Sequence, residues 1–94
     1  MSTRRELIVH KYSQTYADVA TYLGADARLL PDLDTVDVAD LVFFVSVYFC
    51  GPEATWPAAV DTLIETNKVV LSPAVRTAVV ACVLEFISWF HKLH

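Results

Sequence analysis

The spacing of apolar and polar positions along the chain predicts helices. In the first segment apolar residues recur at steps of three and four, which places them on one face of a helix over about residues 5–23. Gly24 follows and supplies the left-handed position at which helices commonly stop. The face predicted to be buried comprises Ile8, Val9, Tyr12, Tyr16, Val19, Ala20 and Leu23.

A second helix is predicted to begin near Thr35–Asp37, whose side chains can accept the free amide hydrogens of its first turn. This helix is apolar nearly all round, so it should be sandwiched between layers or covered by a partner. The run 41–50 also fits a buried strand, because it is rich in β-branched and aromatic residues. The acidic start and the abrupt Gly51–Pro52 stop favour the helix. The predicted inner side is Val38, Leu41, Val42, Val45 and Phe49, and the opposite side carries Phe43, Phe44 and Val47.

Two further helices complete the prediction. Trp56–Pro57 opens a short one that stops at Asn67, and Ser72–Pro73 opens a last helix that runs to about His91. Four helices joined by short loops predict an all-α single domain over residues 1–94, arranged as two antiparallel hairpins. The inner face of the last helix is predicted to be Val75, Val79, Cys82, Val83, Phe86 and Phe90.

Composition narrows the function classes. Of the 94 residues 55% are apolar and 19% are charged, which excludes global disorder. The net charge of −4 argues against nucleic-acid binding, which draws on lysine and arginine. No uncharged apolar run approaches the roughly 18 residues needed to span a bilayer, so we expect a soluble, intracellular chain without a membrane span. Cys50 and Cys82 lie in apolar runs and are expected to be buried free thiols, with one disulfide as the alternative.

The sequence predicts no catalytic, cofactor or metal site. His91 and His94 form the one close histidine pair, which is too few ligands for a metal, so both are expected to be exposed or to interact with the helix end. The serines lack a neighbouring histidine and aspartate in triad order, and two glycines are too few for a phosphate loop. The acidic cluster lacks the pattern of a calcium loop and fits helix-start charge; its members are Asp32, Asp34, Asp37 and Asp40.

Part of the chain resembles a helical-repeat motif. The stretch 72–86 is similar to the second helix of a HEAT repeat, with the pair Val75–Arg76 followed by the small apolar residues Ala78 and Ala81. Small residues let antiparallel helices approach closely, so the resemblance implies a HEAT-like packing of the helices.

A wider resemblance covers about residues 12–86. It includes Tyr12-Ser-Gln-Thr-Tyr16, then Asp37-Val-Ala-Asp-Leu-Val-Phe-Phe44, then the aromatic-proline pair Trp56–Pro57, and finally Val70-Leu-Ser-Pro-Ala-Val-Arg76. In this order the features resemble the amino-terminal helical-repeat region of the severe-depolymerisation-of-actin family, whose members act in large-ribosomal-subunit biogenesis. The resemblance implies a nuclear or nucleolar scaffold without catalysis or cofactor. Because family members are longer, it also implies an amino-terminal fragment or a stand-alone relative.

The favoured hypothesis is a non-enzymatic helical interaction module that binds a protein partner or forms a homo-oligomer. This hypothesis rests on the second helix, which is apolar on two opposite sides. A short bundle cannot cover both sides, so one is left for a partner. The residues predicted to bind the partner are Phe43, Phe44, Val47, Tyr22 and Trp89. One alternative is a small accessory subunit of another complex, viral or organellar. The other is a ligand-binding helical protein with a pocket lined by aromatic residues, whose polar groups would come from Tyr12, Tyr16, Tyr48 and Asp40.

Overall fold

The computed structural model describes residues 3–93, and 81% of the residues in that range are helical with no strand among them. The fold is therefore all-α. Its four α-helices are α1 (Arg4–Leu23), α2 (Val38–Tyr48), α3 (Trp56–Thr66) and α4 (Pro73–Lys92). Short 3₁₀ turns at Gly24–Leu29, Leu33–Thr35 and Glu53–Thr55 occupy part of the connections.

The helix starts follow from side chains that accept the first free amide hydrogens. Thr3 accepts from the amide of Glu6 at 3.1 Å, Asp37 accepts from Ala39 at 2.7 Å, and Ser72 accepts from Val75 at 3.4 Å. Two of these starts were predicted, those of α2 and α4. The segment 41–50 is helical to Tyr48, so the strand alternative for it is wrong.

The end of α3 is a Schellman motif centred on a lysine. The amide of Lys68 donates to the carbonyl of Glu65 at 3.0 Å, and the amide of Val69 donates to the carbonyl of Ile64 at 3.2 Å. This geometry requires a left-handed residue, and Lys68 has a φ of 57°. A side chain with a Cβ is strained at such a φ, whereas glycine adopts it freely.

We therefore expect Lys68→Gly to stabilise the fold by about 0.5–1 kcal/mol, because the strain is removed while both turn hydrogen bonds remain. Urea unfolding followed by circular dichroism measures the change. Lys68→Ala is the matched control, since it removes the same charged side chain and keeps the Cβ. Equal free energies of unfolding for the two variants would contradict the left-handed assignment.

The last helix lies at the centre of the packing. It makes the most extensive helix–helix contact with α1 and also packs on α3, whereas the contact between α2 and α1 is less extensive. Lys11 of α1 pairs with Glu85 at 3.2 Å, and Tyr22, further along α1, lines the same groove as Ala78. Residue numbers rise along α1 as they fall along α4, so these two helices are antiparallel. The predicted arrangement of two consecutive hairpins with HEAT-like character is not confirmed.

Ten apolar side chains form the buried interior, and no polar or charged residue of the described range 3–93 is buried with them. Phe49, Ile87 and Val45 are the largest that are almost fully enclosed. These buried residues come from all four helices and the connection after α2, which ties the helices into one core. The full set is Ile8, Val19, Val45, Phe49, Trp56, Val60, Val79, Phe86, Ile87 and Phe90.

Some predicted inner positions are wrong. Val9 was assigned to the buried face of α1, but 45% of its surface is exposed, and Ile8 beside it is the enclosed residue. On α4 the enclosed Ile87 was missed. Both errors arise because α4 approaches α1 from a direction that the periodicity of one helix does not specify.

Candidate interaction surface and apolar cleft

One side of α2 exposes a continuous run of large apolar side chains. Phe43 is 69% exposed, Val47 50%, Tyr48 55% and Phe44 36%. Residues four apart on a helix are neighbours, and the rings of Phe44 and Tyr48 indeed lie 4.6 Å apart. We call these four residues the α2 face. It is exposed because α2 packs on the core with its other side, through Val45 and then Phe49.

The structure divides the five residues predicted to bind a partner. Phe43, Phe44 and Val47 lie together on the α2 face. Tyr22 is 52% exposed and lines the groove between α1 and α4. Trp89 is half-buried and packs against the core, with its ring 6.0 Å from that of Phe86.

Tyr48 belongs to the α2 face and is not among the residues that the sequence predicted to bind a partner. Its position four residues after Phe44 was the available signal, since that spacing places the two rings side by side.

An apolar cleft of about 530 Å³ lies beside this surface. Its walls come from the end of α1, the segment 24–31, α3, the connection to α4 and the first turns of α4. Phe44 belongs both to the cleft and to the α2 face, so the two surfaces meet there. The residues that line the apolar cleft are Val19, Leu23, Leu29, Leu30, Pro31, Phe44, Val60, Leu63, Ile64, Asn67, Val69, Leu71, Val79 and Val83.

The segment that forms one wall of the cleft is tied to α1. The Tyr16 hydroxyl donates to the carbonyl of Pro31 at 2.7 Å, which holds the segment against the helix. Among the described residues that line the cleft, Asn67 alone has a polar side chain. Its amide nitrogen donates to the carbonyl of Leu63 at 2.7 Å, which leaves the amide oxygen available to accept a hydrogen bond.

The polar groups predicted for an internal pocket lie elsewhere. None of Tyr12, Tyr16, Tyr48 and Asp40 is among the residues that line the apolar cleft. Tyr12 packs edge-on against Phe86, with ring centres 6.0 Å apart. Burial, and secondly the neighbouring Tyr16, raises the pKa of the Tyr12 hydroxyl. The apolar cleft is therefore largely aliphatic and is not lined by these polar groups, and an aromatic-lined pocket that uses them stays a prediction.

The best-connected charged group joins α3 to α4. Arg76 donates through Nε to Asp61 at 3.0 Å and through a terminal nitrogen to Glu65 at 3.2 Å. The hydrogen bond to Asp61 is the largest cause that raises the pKa of Arg76 above its usual value. Trp56 and His91 meet near the other ends of the same helices, with stacked rings 4.8 Å apart. These contacts fix the two helices side by side in opposite directions, and they have a structural role.

The structure revises the expectations for the cysteines and for His91. Both thiols are free, and Cys50 is exposed, so the prediction that it is buried is wrong. Burial, followed by the charges of Asp18 and Glu85, raises the pKa of Cys82, which makes its thiol a poor nucleophile. His91 is half-buried against Trp56, so it is not an exposed side chain, and it lies in the last turn of α4, as the alternative of an interaction with the helix end requires.

No metal site is formed by the described residues. Within residues 3–93 no group of three or more His, Cys, Asp and Glu side chains could hold a metal ion. Of the acidic cluster, Asp37 caps α2, as helix-start charge predicts. His94, the second member of the predicted histidine pair, lies outside the described residues.

Among residues 3–93, one helix is long and apolar enough to cross a membrane by length and composition, namely α4, with a mean hydropathy of 1.5. The segments Val38–Tyr48 and Glu53–Thr66 are together also long and apolar enough, but their axes are bent by 99° at the break between them. In this fold α4 buries Phe86, Ile87 and Phe90 against the other helices, and 22% of the residues in its apolar window are buried.

Comparison with protein-family models, with curated proteins and with solved structures finds no match to this chain. Its function therefore has to be inferred from its own residues and their geometry.

Proposed function

We propose that this protein is a non-enzymatic helical interaction module that binds a protein partner, or a second copy of itself, through the α2 face. The observation that supports this proposal is the exposure of Phe43, Phe44, Val47 and Tyr48, four neighbouring apolar side chains on one helix. Contiguous apolar patches on soluble proteins commonly mark interaction sites.

The size of the face is compatible with association. An aromatic side chain buries about 150–250 Å² when it is fully covered, so covering the exposed parts of Phe43, Phe44 and Tyr48 removes about 300 Å² from water. At about 25 cal/mol per Å², that burial contributes about 7 kcal/mol for each copy. Two such faces brought together offset the loss of translational and rotational freedom, which costs roughly 4–15 kcal/mol. The favourable and unfavourable contributions are of similar size, so association of two α2 faces is energetically feasible, and its strength is a matter for measurement.

Size-exclusion chromatography with light scattering tests the proposal. The wild-type chain is expected to elute as a dimer or larger species at micromolar concentration, and Phe43→Glu is expected to elute as a monomer. The substitution places a charge at the most exposed position of the face, where association would bury it without a partner. Ala58→Glu is the matched control, because it adds the same charge at an exposed position on α3 and should leave the oligomer intact.

Two outcomes would overturn self-association. One is a wild-type monomer at about 100 µM. The other is an oligomer that both glutamate variants leave unchanged. If the chain is a monomer, the alternative that it binds a different protein is tested by purifying the tagged chain from cells. A co-purified protein that is lost with Phe43→Glu and kept with Ala58→Glu supports the proposal, and equal recovery with both variants contradicts it.

The biological setting rests on the sequence resemblance. We propose a scaffold role in large-ribosomal-subunit assembly, within the nucleus or nucleolus, with contact to protein components, since the net charge of −4 disfavours direct binding to RNA. Sedimentation of the tagged chain with precursor particles of the large subunit supports this role. Sedimentation only at the top of the gradient favours an accessory subunit of another complex.

We further propose that α4 acts as a core helix of an intracellular, soluble protein. The ion pairs of Arg76 with α3 and of Glu85 with Lys11 of α1 support this, because both charges lie on α4 itself. Recovery of the chain in the soluble fraction after carbonate extraction of cells checks it, and retention in the membrane pellet contradicts it.

A further inference from the structure

The apolar cleft is a second surface of different character from the α2 face. We propose that it binds an uncharged, predominantly aliphatic small molecule, of the class represented by a long-chain alcohol. Three observations support the proposal: the volume of the cleft, the way its walls are held, and the chemistry of its lining.

The volume suits a small ligand. At about 530 Å³ the cleft falls within the roughly 300–1,000 Å³ typical of ligand pockets. The cavity lies between several chain segments, so a molecule inside it contacts α1, α3 and α4 together. A bound molecule would therefore fill space that the side chains of this core leave open.

The walls are held in place without a ligand. The hydrogen bond from Tyr16 to Pro31 fixes the segment 24–31 against α1. On the opposite wall the turn after α3 is closed by its two backbone hydrogen bonds and by the bond from Asn67 to Leu63. A preformed site avoids part of the ordering cost that binding otherwise carries.

The lining selects the chemistry of the ligand. Among the described residues around the cleft there is neither a cation to pair with a carboxylate or phosphate nor an acid to pair with an amine. Desolvating a charged group there would therefore go uncompensated. The amide oxygen of Asn67 can accept one hydrogen bond, which matches a single hydroxyl on an otherwise aliphatic molecule.

The ligand site is separable from the proposed function. Phe43, Val47 and Tyr48 of the α2 face do not line the cleft, and Phe44 is shared. A variant at Phe43 therefore tests the interaction surface without changing the cleft, and a variant inside the cleft does the reverse.

The experiment uses the uncharged dye Nile red as the probe and decanol as its competitor. The wild-type chain is expected to enhance the fluorescence of the dye, and decanol is expected to displace it. Val83→Phe fills the cleft from α4 and should weaken dye binding by about tenfold or more. Val75→Phe is the matched control, because it makes the same substitution on α4 at a position outside both the cleft lining and the core cluster, and it should bind like the wild type.

A second variant guards against a failure to fold. Leu30→Trp fills the cleft from the segment 24–31, outside the four helices, and circular dichroism verifies that both cleft variants remain helical. Phe43→Glu should retain the affinity of the wild type for the dye.

Three results would overturn the proposal. Unchanged binding in both Val83→Phe and Leu30→Trp would place the dye elsewhere. Loss of binding in Phe43→Glu would place it on the α2 face. Tighter displacement by decanoate than by decanol would show that the site prefers an anion. None of the three bears on whether the α2 face drives association, which chromatography of the Phe43 variant decides independently.

Discussion

Replacing Phe49 with alanine is expected to lower the free energy of unfolding by about 3–5 kcal/mol. Phe49 is 1% exposed, the largest of the almost fully enclosed side chains, and it packs in the same cluster as Phe86 and Phe90. Its removal costs the transfer free energy of the ring and also leaves a cavity that neighbouring helices fill incompletely. A chain of this length is stabilised by only about 5–14 kcal/mol, so the variant should be close to unfolding at 37 °C.

Urea denaturation followed by circular dichroism at 222 nm measures the effect. Phe43→Ala is the control, because the same chemical change is made six residues earlier at a position that is 69% exposed. At a protein concentration where the wild type is monomeric, so that association does not contribute, its free energy of unfolding should change by less than about 0.5 kcal/mol. Similar costs at the two positions would mean that the inner and outer sides of α2 have been assigned wrongly.

A second large loss is expected for Trp56→Ala, again about 3–5 kcal/mol. Trp56 begins α3, is 8% exposed and stacks on His91 with an angle of 12° between the rings. Its indole nitrogen also donates to the carbonyl of Gly51 at 3.1 Å, which ties the turn after α2 to the start of α3. One side chain thus connects α4, α3 and the preceding turn, and alanine removes all three connections.

The phenylalanine variant separates packing from hydrogen bonding. Trp56→Phe keeps an aromatic ring against His91 and loses the donor to Gly51, so it should cost about 1–2 kcal/mol beyond any small packing change. Thermal unfolding of both variants, each retaining Trp89 as the fluorescent probe, gives the comparison. Equal costs for alanine and phenylalanine would assign the whole contribution of Trp56 to its hydrogen bond.

The helices could be predicted because their ends are determined by residues that are close together in the sequence. Asp37 and the pair Ser72–Pro73 set the starts of α2 and α4, and Gly24 follows α1, within about a residue of the predicted bounds. A cap depends on hydrogen bonds between residues two to four apart, so no knowledge of the tertiary structure is needed. The choice of helix over strand for residues 41–50 followed from the same local signals.

The pairing of the helices could not be predicted in this way. Periodicity identifies an apolar face but not the helix that will cover it, and several partners satisfy the same pattern. For this reason the buried role of Ile87 and the exposure of Val9 were missed: both depend on how α4 lies on α1.

The α2 face could be predicted in part from the sequence, whereas the apolar cleft could not. The exposure of Phe43 and Val47 was predicted because α2 is apolar on both sides, and two sides of one helix cannot both face a small core. The apolar cleft had no counterpart in the sequence, because its lining comes from segments far apart in the chain. Val19 of α1 and Val69 after α3 reach it only once the tertiary fold has formed.

The antiparallel contact between α1 and α4 has a consequence for the order of events during synthesis. The ribosome releases α1 first, and the surface that covers it, α4, is translated after the rest of the described fold. Translation proceeds at roughly 5–20 residues per second, so Phe86 and Ile87 emerge on the order of seconds after Ile8, with which they form the core cluster. During that interval the nascent chain exposes its apolar residues to chaperones and to other nascent chains. Folding as one cooperative unit follows release of α4, because a chain that stops before residue 73 lacks Phe86, Ile87 and Phe90, three of the eight side chains of the core cluster.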